Sequence, residues 1–288
     1  MRLSLWLGVL GCLCLWAGRA QADPTVQDFN TPGGTNYTLT NFGGDPADDT
    51  QPGPGGKKVL RLTQATNSGL NTCAFDRTQT GPVGHVVADF DFRIGDSTDG
   101  RLHGADGIGF VLLNTKTPNT AGDPRYGTTG DGPQITEEAQ SFASLGIGLD
   151  TWDNDPPVLD PNDNHISLIY SDNPQRDANG GGGMSESVGT VSFVQALSLT
   201  PFSYKLHRAT LPDNAPFDHF HMTLDVVTGG ANVTVAITPA GKDTITPFNN
   251  LFIPNFTPYE MRVAFGARTG GENENHDIAN INVTFAPP

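Results

Sequence analysis

Leu145 to Tyr170 reads LGIGLDTWDNDPPVLDPNDNHISLIY, and the fold is decided on this stretch. Apolar residues alternate up to Asp150, a run of carboxylates and amides follows, and alternation resumes after His165. Period-2 alternation is the pattern of a strand with one face buried. The stretch therefore predicts a strand ending in Asp150, a loop carrying Asn154, Asp155, Asp160 and Asp163, and a second strand starting near His165. Many oxygen ligands then meet at one sheet edge, an arrangement suited to a hard cation such as calcium. Asp150 and Asp160 offer carboxylates, residue 152 a backbone carbonyl and Asn154 an amide oxygen, with water completing the shell. Composition alone leaves a second reading equally open, in which Asp and Asn make Asx-turns in a wet loop. His165 is a candidate nitrogen ligand or a structural histidine at a strand start.

Outward from this stretch, 35 glycines and 22 prolines among 288 residues punctuate the chain into short segments. No long window carries a helical apolar period, so the chain reads as all-β. Strands are predicted at Asp28–Asn30, Tyr37–Phe42, Val59–Leu62 and Thr72–Asp76, with a loop over Gly43–Gly56. His85–Ile94 alternates most clearly, with Val87, Phe90, Phe92 and Ile94 placed to pack and Asp89, Asp91 and Arg93 to face water. Ala105–Asn114 follows, then a long polar loop over Thr115–Ser141, a length that commonly carries function. Asn179–Met184 reads as a low-complexity loop, and Val191–Val194 and Ser203–Leu206 as weak strands. His219–Val227 and Ala231–Ile237 flank Gly229-Gly230 as a hairpin. Glu260–Ala267 and His276–Phe285 complete the set around the loop Arg268–Asn275. About a dozen antiparallel strands imply two packed sheets, a jelly-roll-like β-sandwich.

Met1 to Ala22 has the layout of a secretory signal peptide: Arg2, an apolar run Leu3–Trp16, and an Ala20-Gln21-Ala22 cleavage site. A lipoprotein signal through Leu10-Gly11-Cys12 is the rival, with a short apolar run before the cysteine. Residues 23–288 then form one domain, placed outside the cell or, in a bacterium, in the periplasm or at the cell surface. No other segment approaches the roughly 20 apolar residues of a membrane span. Cys12 and Cys14 leave with the leader, so Cys73 has no partner for a disulfide or a zinc cluster and reads as a small core residue. A net charge of -15 makes nucleic acid and anionic membranes poor partners and favours calcium and neutral ligands. Sequons at Asn36, Asn232, Asn255 and Asn282 matter only in a eukaryotic secretory host.

Asp150-Thr-Trp-Asp-Asn154 followed by Asp160-Pro161 and His165-Ile166 resembles the metal-binding loop of the L-type lectins, a family that includes legume and animal cargo-receptor lectins. Ala105-Asp106-Gly107 is similar to the sugar-binding motif of that family, and Met261–Phe285 to its penultimate strand, variable loop and last strand. The resemblance implies a calcium-dependent sugar site. Asp150 and Asp160 would be the calcium carboxylates, Trp152 the carbonyl ligand and Asn154 the amide ligand. Asp106 and Asn154 would bond sugar hydroxyls, and the Ala105–Asp106 peptide would be cis. Physical chemistry agrees: carboxylates accept from hydroxyls, amides donate to them, and an aromatic such as Trp152 packs on a pyranose face. Gly130 or Gly132 would supply a backbone N–H, while Asn273 and Asn275 sit in the loop expected to set specificity.

One departure limits the metals. Legume lectins carry a glutamate two residues before the first metal aspartate, and here that position is Gly148. A second, transition-metal site around His165 thus lacks a carboxylate, and calcium alone is expected. His219 and His221 have no further ligand nearby in sequence. The E-x-D-x-x-E pattern of glycosidases on related sandwiches loses both glutamates, so the chain reads as non-catalytic. No G-x-S-x-G or H-E-x-x-H motif is present either. The expected partner is a glycan or glycoconjugate, and a homo-oligomer would raise avidity by pairing sites. The alternatives are a structural or protein-binding sandwich with a calcium-ordered loop, and a glycan hydrolase.

Overall fold

Alternating burial builds strands throughout the computed structural model, which describes residues 23–97, 104–116, 120–124, 135–139, 141, 143–154, 160–172 and 192–288. In chain order these residues form β1 (Thr25–Gln27), β2 (Tyr37–Gly43), β3 (Asp48–Pro52), β4 (Lys58–Thr63), β5 (Leu70–Phe75), β6 (His85–Gly95), β7 (Gly107–Asn114) and β8 (Leu145–Asp150). The second half adds β9 (His165–Tyr170), β10 (Phe193–Ser198), β11 (His207–Arg208), β12 (Asp218–Val227), β13 (Gly230–Thr238), β14 (Ile245–Pro254), β15 (Met261–Arg268) and β16 (Asn275–Ala286). The signal-peptide segment and the glycine run at 179–184 lie outside the described residues.

Two sheets result. One runs β14-β13-β12-β6-β16-β4-β3, with β1 on β16 and a short parallel pairing of β11 to β6; the other runs β10-β9-β8-β7-β15-β5-β2. Every other strand pairing among the described residues is antiparallel, as the sandwich reading requires. Between the sheets lie Phe90 and Phe220, stacked with centroids 4.4 Å apart, and Phe265 edge-on to Phe90 at 4.9 Å. Each such fully buried ring contributes about 1.5–3 kcal/mol of transfer free energy. Cys73 is buried in this core, as expected, and burial pushes its thiol up.

Several boundaries differ from the sequence reading. The N-terminal edge strand is Thr25–Gln27 rather than Asp28–Asn30, and it pairs with β16. Gly43–Gly56 contains β3, an edge strand on β4, and the polar Asp48–Pro52 gave no alternation to announce it. β14 went unread because Asn249, Asn250 and register shifts against β13 break its period. Ser203–Leu206 is not a strand; β11 follows it instead. In β6 the buried phase begins at Val86 and Ala88, and Val87 is only half-buried. Arg93 does not face water. It is fully buried because residues 212–217 cover that end of β6. Their carbonyls at Asp213 and Ala215 accept from its guanidinium, Phe217 lies 4.7 Å from it, and Asp277 pairs with its Nε at 2.8 Å.

Candidate cation and ligand site

Register alone gathers the site. Across neighbouring strands, Arg268 pairs with Gly107, Gly107 with Asp150, and Asp150 with His165. One row at the ends of β15, β7, β8 and β9 therefore carries a guanidinium, the residue after Asp106, a carboxylate and an imidazole. β8 is buried on both faces. Leu145, Ile147 and Leu149 enter the core, so Gly146, Gly148 and Asp150 face the opposite side.

On that side Asp150, Asp160 and His165 converge, each offering a ligand atom within 4.8 Å of the others. His165 Nε2 lies 3.6 Å from Asp150 Oδ2 and 3.2 Å from Asp160 Oδ1. Its Nδ1 is 2.6 Å from the Asn162 carbonyl oxygen, so Nδ1–H donates there and the Nε2 edge of the ring faces the carboxylates. The Trp152 backbone N–H donates to Asp150 Oδ1 (2.8 Å), and that of Asn154 to Asp160 Oδ2 (2.9 Å). Asp150 Oδ2 is buried and has no hydrogen-bond partner. A buried, unpaired carboxylate oxygen is costly unless a cation or a proton meets it. Burial, helped by the charges of Glu138 and Asp160, pushes the Asp150 carboxyl well above the usual carboxylate range. A divalent ion fits this set of two carboxylates and one imidazole nitrogen.

Next to it, the Ala105–Asp106 peptide is cis, as the sequence resemblance implied. The Asp106 carbonyl accepts from the Thr151 backbone N–H (2.9 Å) and hydroxyl (3.1 Å), and its N–H donates to the Arg268 carbonyl (2.9 Å). Its carboxylate stands 2.5 Å from Arg268 Nη2. Burial raises the Asp106 carboxyl to about 6 against the opposing pull of Arg268. Asn154 Nδ2 donates to Glu138 Oε1 at 3.2 Å. Trp152 is half-buried. Asn273 is buried with its amide committed to Asn67 (2.7 Å), and Asn275 Oδ1 accepts from the Ala65 N–H (2.8 Å). These two residues brace the 65–67 turn; within their loop it is Gly270 whose missing Cβ would come 3.5 Å from Asp106 Oδ1. Gly130 and Gly132 lie outside the described residues.

The sequence reading missed Glu137, Glu138, Arg268 and Glu274. Residues 135–139 lie directly on the outer face of the seven-stranded sheet, and glycines make the room. A Cβ on Gly109 would collide with the Thr136 carbonyl oxygen, on Gly148 with that of Glu137, on Gly146 with that of Ala139 and on Gly266 with that of Ile135. Ile135 and Ala139 pin the segment to Ala74, Val111, Leu113 and Ala264. Glu137 pairs with Arg268 through both nitrogens of its fork, while Glu138 accepts from Thr136 Oγ1 (2.9 Å). Glu274 accepts from the Thr151 hydroxyl, His207 Nδ1 (2.6 Å) and His276 Nε2 (3.1 Å). Burial alone would raise its carboxyl, but the bonds from His207 and His276 outweigh that and hold it low. The signal for the covering segment was the Gly-x-Gly spacing at 107/109 and 146/148, which leaves one strand face without side chains. Gly148→Ala is expected to destabilise the protein by about 1–3 kcal/mol by lifting this segment, and an unchanged urea midpoint would contradict that packing.

No family profile and no curated protein sequence matches the chain. Solved structures do match. The exoplasmic/lumenal domain of VIP36 in its Ca2+/Man-bound form aligns at 14% identity over 90% of this chain and 88% of that one, with a TM-score of 0.54. The lectin UEA-II complexed with galactose aligns at 13% identity over 91% and 98%, with a TM-score of 0.53. The Lotus tetragonolobus seed lectin aligns at 15% identity over 93% and 100%, with a TM-score of 0.52. The fold is that of the L-type lectins.

Proposed function

We propose that this L-type lectin fold serves a secreted, calcium-dependent carbohydrate-binding protein without a catalytic step. The observation that carries the reading is Asp150 Oδ2, buried and without a hydrogen bond between Asp160 and His165 and one register step from the cis Asp106. Calcium would be held by Asp150, Asp160, the Asn154 amide oxygen and the Trp152 carbonyl, with His165 alongside. It would supply the positive charge that fixes the loop carrying Asn154. Asp106 accepts from sugar hydroxyls, Asn154 donates to them, and Trp152 offers its ring to the sugar face. Gly148 leaves the position of the transition-metal glutamate without a side chain. The solved VIP36 domain with calcium and mannose supports the pairing of this fold with both ligands. The charged start, apolar run Leu3–Trp16 and Ala20-Gln21-Ala22 pattern support secretion, and a homo-oligomer would raise avidity.

A second reading, a sandwich that uses calcium only to order its loops, is favoured by two contacts. Arg268 engages Asp106, and Glu138 takes the Asn154 amide. Sugar binding therefore requires hydroxyls to compete with Arg268 for Asp106 and to replace Glu138 at Asn154. A glycan array run with calcium and with chelator separates the two. The lectin reading expects calcium-dependent signal that Asp106→Ala lowers about 10–100-fold, the cost of one charged hydrogen bond in a dry site. Calcium-dependent stability with no glycan signal supports the second reading, and release of reducing sugar defeats both. Asp150→Asn should lose calcium and glycan together; full retention of both would remove the metal assignment.

A further inference from the structure

The net charge of -15 is unevenly spread. A cavity of about 480 Å³ opens between the 203–208 segment, the start of β12 and the turn from β13 to β14, and Lys205, Arg208 and Lys242 line it. The whole chain has five lysines. A neighbouring cavity of about 330 Å³ shares Pro216 with the first and carries Lys57 and Lys58, so four of the five gather around one proline. The carboxylate lining the first cavity is already spent. Asp218 accepts from the Tyr204 hydroxyl (2.7 Å), the Ala240 N–H (2.7 Å) and Arg208 Nη2 (2.5 Å). Lys205 and Lys242 are exposed, and neither ammonium meets a carboxylate among the described residues. His207 adds a further polar edge to the wall: its Nδ1 lies 2.6 Å from Glu274 Oε2, while its Nε2 is buried without a hydrogen-bond partner.

Three cations against one committed carboxylate, in a space large enough for a small ligand, call for an anion. The same imidazole ties the cavity to Asp106. Glu274 meets the Thr151 hydroxyl, and that hydroxyl lies 3.1 Å from the Asp106 carbonyl oxygen. A Cβ on Gly104 would come 2.6 Å from His207 Nδ1, so the chain entering the cis peptide runs against this wall. We infer that the cavity receives a sulfate or phosphate ester on a saccharide, held by Lys205 and Lys242 beside the Asp106 site. Ammonium groups act as compact point charges, suited to a tetrahedral oxyanion. A single ester meets only the local cations, whereas a long polyanion such as nucleic acid would also meet the acidic remainder of the surface. That the carrier is a saccharide rests on the lectin reading proposed above.

Glycans printed in pairs, with and without a sulfate or phosphate ester, are presented to the protein in calcium and in chelator, with inorganic sulfate and phosphate as competitors. Wild type in calcium is expected to bind the ester of a recognised glycan about tenfold more tightly than its neutral parent, the effect of two partly exposed ion pairs. Added salt should shrink that preference. Lys205→Gln combined with Lys242→Gln should abolish the preference and leave the urea midpoint unchanged, since both side chains are exposed. Lys57→Gln combined with Lys58→Gln should keep it. Equal affinity for ester and parent, a preference that survives loss of Lys205 and Lys242, or one lost equally in both lysine pairs would overturn the ester site while the lectin reading stands on binding of the parent. Inorganic sulfate or phosphate bound without any preference for the esters would overturn it as well, leaving a site for the free ion only. Esters bound with no neutral parent bound, and lost in the Lys205 and Lys242 variant, would remove the lectin reading at Asp106 and keep the ester site.

Discussion

Arg268→Met should cost the calcium-free protein about 3–5 kcal/mol, the range for stripping one partner from a buried ion cluster. Arg268 is the last residue of β15, its side chain mostly buried, and its guanidinium meets both Glu137 and Asp106. Methionine keeps much of the volume and packs its thioether where the arginine stem lay. It cannot answer the carboxylates. Burial already raises Asp106 and Glu137, and Arg268 is the cationic partner that pulls both back down. Without it they must take up protons or separate, and separation means lifting residues 135–139 off the sheet. Equilibrium urea unfolding in chelator at neutral pH measures the effect. A midpoint equal to wild type would show that these carboxylates are compensated by something other than Arg268. Saturating calcium should recover part of the loss, since a ligand at about 100 times its Kd adds about 2.7 kcal/mol.

What the sequence made legible follows from how local each signal is. Asp150, Asn154, Asp160 and His165 sit within sixteen residues on one strand-loop-strand unit, so chain order alone brings them to the same sheet edge. Alternation in β6 and β12 survives because both are central strands with one face on the core. Edge strands carry no such constraint, and β3 and β14 were lost for that reason. Arg93 shows the limit from another side. Its outward phase was correct, yet a segment more than a hundred residues away covers it and supplies its acceptors. Glu137, Glu138 and Arg268 fail in the same way. Arg268 meets Glu137 from 131 residues away and Asn154 meets Glu138 from 16, and only the glycine spacing of β7 and β8 records, indirectly, that backbone lies across them.

The largest pH effect should be found without calcium: the protein should lose stability as pH rises through about 6. Asp106 has an ordinary carboxyl value of 3.8 when unfolded and about 6 when folded. Because the folded value is the higher, folding favours the protonated form. Its contribution is therefore fully present below 3.8 and is lost as pH climbs past 6. The difference of about two units corresponds to about 3 kcal/mol. Glu137 and Asp150 are raised as well and add in the same direction. Groups around Asp106 temper it: Arg268 and His276 favour its charge, while Glu138 and Glu274 oppose it. Glu274, Glu260 and Asp48 are held low, so their contributions are present above their ordinary values and fade only in stronger acid, outside the window between pH 5 and 8. Calcium reverses the slope. It binds the carboxylates only after their protons leave, so its affinity grows over the interval in which the free protein weakens. Urea unfolding at pH 5 and pH 8 should show a clear loss in chelator and none in saturating calcium. Equal stability at the two pH values in chelator would mean that the carboxylate cluster carries no buried charge for a cation to answer.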